Sequence, residues 1–152
     1  MFVRRFLVKF KEFPIDRSSV KSGQNSSEVI AACRCVNVGL FISGDLRRDV
    51  TVSFVIGTDD DQMTVSFPGE SLRRVSPDER SISFFLLKAI EKAQDLNPGE
   101  SFTMDNGIEL IRSPLDELLE RWEPDIIHVP SSSPERFILD TNLSADRMKN
   151  NP

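Results

Sequence analysis

Two arginine doublets and one pair of adjacent carboxylates are the residues here whose types and spacing could do chemistry. Arg47 and Arg48 sit in "GDLRRDV", and Arg73 and Arg74 in "SLRRVSPD". Asp78, Glu79 and Arg80 follow at once, ahead of the apolar run "ISFFLLKAI". Arginine presents a planar fork of donors that matches a phosphate at two points. A carboxylate beside such a rim can take a proton. Each feature also has a plainer reading. Asp78 and Glu79 fall in the first turn of an expected helix, where negative charge complements the macrodipole. Arg80 can pair with either acid at the surface. A third doublet, Arg4–Arg5, opens the first expected strand.

The chain as a whole repels a polyanion. It carries 19 Lys and Arg against 24 Asp and Glu, a formal net charge of −5. Nucleic-acid binding would therefore need a local basic patch that overcomes the mean field. If the loops holding Arg47–Arg48 and Arg73–Arg74 lie at one edge of a sheet, they form such a rim. Other chemistries find little support. No G-x-S-x-G, P-loop or G-x-G-x-x-G word occurs. His128, the sole histidine, stands in the apolar stretch "PDIIHV" and reads as a core residue. Cys33 and Cys35, two apart on an expected helix, point to different faces; they read as reduced core fillers. A zinc site lacks ligands, so no metal is expected. "TDDDQ" reads as a solvated turn.

The elements that must position these groups follow from pattern. "FVRRFLVKF" (2–10) reads as a strand and 14–25 as a polar loop. "SSEVIAACRCVNVGLFISG" reads as a helix capped by Ser26 or Ser27 and ended by Gly44. It is apolar nearly all round, as a helix buried on more than one side would be. "DVTVSFVIG" (49–57) reads as an interior strand and "MTVSF" (63–67) as another. "SPDERSISFFLLKAIEKAQD" reads as a helix with Ser76 as cap, Pro77 at the first position and Glu79 in a capping box. Asn106-Gly107 marks a tight turn between short strands. "SPLDELLERW" reads as a further helix, with short strands at "PDIIHV" and "RFIL". Strands alternating with helices predict an α/β fold, a mostly parallel sheet flanked by helices. The expected domain is 1–139, with a polar tail at 140–152. No stretch approaches the roughly 20 apolar residues of a membrane span, and the first residues do not read as a signal peptide. A cytoplasmic protein is expected.

Two long words carry a family resemblance: "AACRCVNVGLFISGDLRRDV" (31–50) and "LRRVSPDERSISFFLLKAI" (72–90). With the strands between them and "NGIELIRSPLDELLE", they closely resemble the archaeal tRNA (pseudouridine-54) N1-methyltransferases, the TrmY group of the SPOUT superfamily, over roughly residues 4–129. The resemblance implies methyl transfer from S-adenosylmethionine to N1 of a pseudouridine in tRNA. It implies a SPOUT-like fold with a C-terminal knot, and a homodimer. The residues matching the family's charged words are Arg34, Arg47, Arg48, Arg73, Arg74 and Arg80, expected to face RNA. Asp78 or Glu79 is the first candidate for taking the N1 proton.

The match fails at the C-terminal end. The family holds its cofactor after a strand ending in Gly-Asp. Here "RFIL" is followed by Asp140, and no glycine occurs after residue 107. The knot is therefore expected to be incomplete or absent, with Ile127, His128, Leu139 and Asp140 lining one wall of a cofactor pocket. A non-catalytic tRNA-binding or dimerising module stays open as the alternative function.

Overall fold

A computed structural model describes residues 4–42, 45–58, 61–114 and 117. Strand β1 (Arg4–Phe10) is followed by a short helix α1 (Arg17–Ser22) and a longer helix α2 (Ser27–Leu40). A two-stranded ribbon, β2 (Phe41–Ile42) with β3 (Asp45–Leu46), leads into the hairpin of β4 (Val50–Thr58) and β5 (Asp61–Pro68). Helix α3 (Glu79–Gln94) and strands β6 (Ser101–Thr103) and β7 (Glu109–Ile111) complete the described part.

The main sheet has the order β1-β4-β5-β7-β6. β1 runs parallel to β4, whereas the β4–β5, β5–β7 and β6–β7 pairings are antiparallel. The α/β class is as expected, but the described sheet is mixed where a mostly parallel one was expected. Connection length explains the difference. A parallel pair needs a crossover of a dozen or more residues. The chain between β1 and β4 provides one, through α1 and α2. Thr58 pairs directly with Asp61, so β4 can only turn back on itself.

One face of this sheet is apolar. Phe6, Val52 and Phe67 stand in register across it, as do Val8, Phe54 and Val65. Helices α2 and α3 pack onto that face through Val29, Val36, Leu40, Ile82, Leu86 and Ala93. Phe54 sits at the centre, its ring 6.1 Å from Phe67 edge-on and 6.0 Å from Phe10. Fully burying such a side chain contributes about 1.5–3 kcal/mol. The opposite face is mixed, with Leu7, Val55 and Ile111 among buried polar residues. There Arg5 Nη1 donates to Ser53 Oγ at 3.2 Å, and Ser53 Oγ and Ser66 Oγ share a hydrogen bond of 2.7 Å. Burial holds the Arg5 guanidinium below its ordinary pKa, with Glu109 pulling the other way.

Helix boundaries depart from expectation at named residues. α2 is capped by Ser26 and ends at Leu40, because Phe41 adopts extended backbone and enters the ribbon, well short of Gly44. It is not buried all round: Arg34 and Asn37 face solvent, and Val38 is 57% exposed. α3 starts later than expected. Asp78, not Ser76, is its cap: the Asp78 side chain accepts from the Ser81 amide at 2.8 Å, and Ser81 Oγ accepts from the Ser76 amide at 3.0 Å. Glu79 thus becomes the first helical residue rather than the capping-box partner. The expected polar loop 14–25 contains α1, closed between an Asp16 cap and Gly23 in the left-handed region. The Asn106-Gly107 turn lies between short strands, as expected. The helix read in 113–122 and the strands read in 124–129 and 136–139 lie outside the described residues, apart from a few positions at the start of the first.

Candidate nucleic-acid interface

The doublets meet at one edge of the sheet. β1 begins at Arg4, paired with Val50 at the start of β4, and β5 ends at Pro68, paired with Thr51. The Arg47–Arg48 loop enters β4 at that edge and the segment to Arg73–Arg74 leaves β5 there. The Arg4 amide donates to the Asp49 carbonyl, bringing a third doublet to the same place. The Asn106 turn joins them, since its carbonyl accepts from the Arg73 amide at 2.8 Å.

The four loop arginines have different surroundings. Arg48 faces the neighbouring loop, its Nη1 donating to the carbonyls of Gly69 at 2.9 Å and Leu72 at 3.3 Å. Arg73 Nη2 donates to the Asp105 carbonyl at 3.1 Å. Arg74 is exposed and held at φ 61°, the single positive φ outside glycine among the described residues. An L-residue there costs roughly 1 kcal/mol, and such strain gathers where a side chain must be aimed. Arg47 is half-buried, its backbone amide on the Leu40 carbonyl at 2.6 Å and its Nε buried without a partner. Asp49, Glu70 and Asp105 lie at the same edge. Yet the ion pairs among the described residues are Arg17–Glu91 and Arg112–Asp61, so no described carboxylate pairs directly with Arg47, Arg48, Arg73 or Arg74.

Asp78, Glu79 and Arg80 belong to different surroundings. Asp78 caps α3, and Glu79 Oε2 accepts from Asn25 Nδ2 at 3.0 Å. Both acids stand near Cys33, whose thiol lies 3.8 Å from the Glu79 carbonyl. Burial and then the two carboxylates push that thiol up to about 12. Cys33 and Cys35 are both buried, the core fillers expected. Arg80 lines a cleft between α1 and α3. Arg34 is exposed on α2. The sequence reading missed the α1 side of the cleft, Arg17 and Lys21. "PIDRSSVKSG" carries its signal only in the Asp16 and Gly23 caps.

S-adenosylmethionine bears a sulfonium, an ammonium and one carboxylate, a net positive charge, so its site needs acceptors. The α1–α3 cleft carries Arg17, Lys21, Arg80 and Lys88, and a second cleft is lined by Lys9 and Lys11. Neither suits a cation. The residues expected to hold the cofactor, Ile127, His128, Leu139 and Asp140, lie outside the described residues.

Comparison with known proteins supplies the kinship. Residues 3–127 match a family model described as "Putative SAM-dependent RNA methyltransferase". The tRNA (pseudouridine(54)-N(1))-methyltransferase of Haloferax volcanii is 35% identical over 130 residues, covering 81% of this chain and 62% of that protein. The enzyme of the same name from Methanocella arvoryzae is 34% identical over 131 residues, covering 80% of this chain and 67% of its own length. That from Methanococcus maripaludis (strain C5) is 46% identical over 69 residues, 45% of this chain and 35% of the relative. The chain thus spans about six tenths of the Haloferax relative and about a third of the Methanococcus one. With the match running from β1 through the rim, the cap of α3 and β7, this chain belongs to the SAM-dependent RNA methyltransferase family.

Proposed function

We propose that this chain works in S-adenosylmethionine-dependent methylation of N1 of a pseudouridine in tRNA, and that the described residues form its RNA-facing part. The observation that carries the reading is the meeting of Arg4, Arg47, Arg73 and Arg74 at one sheet edge of an otherwise acidic molecule. Arginine donors of this kind fix the register of a nucleic-acid backbone without reading its sequence. Arg48 ties the two loops together and the Arg73 amide ties them to the Asn106 turn, so the rim is built before RNA arrives. Arg34 and Arg80 extend the set of RNA-facing cations.

For the transfer itself the protein's task is positioning and loss of the N1 proton. The contacts of Asp78 and Glu79 support a part in building the start of α3, which sets Arg80 toward its cleft. Ile127, His128, Leu139 and Asp140 would line one wall of the methyl donor's site. A homodimer in the cytoplasm is part of the same proposal. It draws support from Val38 and Ile42, 57% and 49% exposed, and from the finding that no described helix is long and apolar enough to cross a membrane.

The test is direct. The full chain is incubated with isotopically labelled S-adenosylmethionine and tRNA carrying pseudouridine or uridine at position 54. Nucleosides are then resolved by mass spectrometry. Label is expected in N1-methylpseudouridine from the first tRNA alone. No label in either tRNA, from folded protein that binds tRNA, would overturn the catalytic part.

A further inference from the structure

Away from the rim, the cleft between α1 and α3 encloses about 530 Å³, within the roughly 300–1,000 Å³ typical of small-ligand sites. Its floor is apolar, formed by Val20, Phe84, Phe85 and Leu87. Phe84 is 44% exposed, with Phe85 edge-on to it at 5.2 Å and Lys88 Nζ 5.6 Å from its ring centre. The walls carry Arg17, Lys21, Arg80 and Lys88. One acid, Asp78, also lines the cleft and accepts from the Ser81 amide, and Glu91 pairs with Arg17 at 3.2 Å, so four cations face one carboxylate there. Lys21 and Arg80 have no ion-pair partner among the described residues.

We propose that this cleft receives an unpaired nucleotide of the RNA substrate, its base against Phe84 and its phosphates among Lys21, Arg80 and Lys88. The proposal rests on the tRNA reading above and extends it to a second contact surface. Exposed aromatic rings flanked by cations are how proteins hold single-stranded nucleic acid, the ring stacking on any base and the cations tracking the backbone. The net positive walls favour a polyanion and repel the cationic methyl donor. The part of α3 that carries Arg80 begins a few residues after Arg74, so one strand of RNA can pass from the rim into the cleft.

The experiment uses the full chain with Phe84→Trp in a Trp122→Phe background, so that a single indole reports on the cleft. Binding is followed in parallel with end-labelled tRNA. Quenching of the indole by tRNA, but not by free uridine monophosphate at the same concentration, is the expected result. tRNA binding without quenching overturns the cleft while leaving the tRNA reading intact. Equal quenching by the free nucleotide shows a mononucleotide site and overturns the proposal. Absence of tRNA binding by the unaltered chain overturns both. As an independent check that leaves the aromatic floor intact, Lys88→Glu is expected to weaken tRNA binding roughly tenfold at low salt. Unchanged affinity, with an unchanged melting temperature, overturns the proposal.

Discussion

Arg48 reaches across the sheet edge to Gly69: its Nη1 donates to the Gly69 carbonyl at 2.9 Å and to the Leu72 carbonyl at 3.3 Å. A residue that resembles an RNA contact in sequence is thus a brace between two loops. Hydrogen bonds to a charged donor contribute about 1.5–3 kcal/mol each where solvent is excluded. This guanidinium is partly exposed, so Arg48→Ala is expected to cost about 1–2 kcal/mol in urea unfolding. Arg48→Lys, which lacks the planar fork, should recover only part of that. A variant as stable as the parent would show that the loops hold each other without it.

Gly69 itself allows the brace. A β-carbon there would overlap the Arg47 carbonyl and lie 2.7 Å from that of Val50. Gly69→Ala must push the loops apart, and a loss of more than about 3 kcal/mol is expected. Gly23 makes the contrast. It sits at φ 77° with open space around its Cα, so Gly23→Ala should cost only about 1 kcal/mol. Similar melting temperatures for the two variants would contradict the close approach.

Cys33 should be inert. Its thiol is pushed up to about 12 by burial, by Glu79 and Asp78, and by Cys35. Thiol reagents attack the thiolate, so native protein at pH 8 should not react at Cys33 until it unfolds. The sign of the pH dependence follows. The unfolded thiol ionises near its ordinary value of 9.0, and the folded one only near 12. Between those values the unfolded state has lost a proton that the folded state keeps, so stability falls as pH rises through this window. Fast labelling of Cys33 at pH 8 would refute the burial.

The Asp78 carboxylate separates two roles that a single alanine would confuse. As an N-cap, it is replaceable by asparagine, which presents the same acceptor to the Ser81 amide. Asp78→Asn should therefore melt close to the parent, whereas Asp78→Ala should lose about 1 kcal/mol. With folding preserved, methyl transfer by Asp78→Asn is expected to persist. Its loss at unchanged stability would instead mark this carboxylate as the group that takes the N1 proton.

The rim was legible in the sequence as three Arg-Arg doublets, because charge pairs in loops survive any error in register. Which arginine side chain stays exposed and which faces a carbonyl was not legible, since that depends on how closely Gly69 lets two loops approach. The antiparallel hairpin was in principle readable: four positions separate Gly57 from Gln62, too few for a parallel crossover. The strands' near-continuous burial concealed it, because β4 buries residues on both faces as a parallel strand does. Helix α1 has one buried apolar residue, Val20, so no periodicity announces it. Without α1 the cationic cleft has one wall and cannot be foreseen.

Arg74 offers the sharpest opposition between stability and function. Its φ of 61° is a conformation that glycine adopts freely. Arg74→Gly should relieve the strain and stabilise the fold by up to about 0.5 kcal/mol, net of glycine's greater freedom when unfolded. The same change removes an exposed cation from the rim. tRNA affinity should fall, and the slope of log affinity against log salt should flatten by about 1, one fewer phosphate being neutralised. Arg74→Lys keeps both the charge and the strain, so it should bind nearly as the parent does while gaining no stability. A variant with glycine that is more stable and binds tRNA with an unchanged salt slope would leave the strained backbone without a purpose in RNA binding. A variant that is less stable would show that the Arg74 side chain holds the loop.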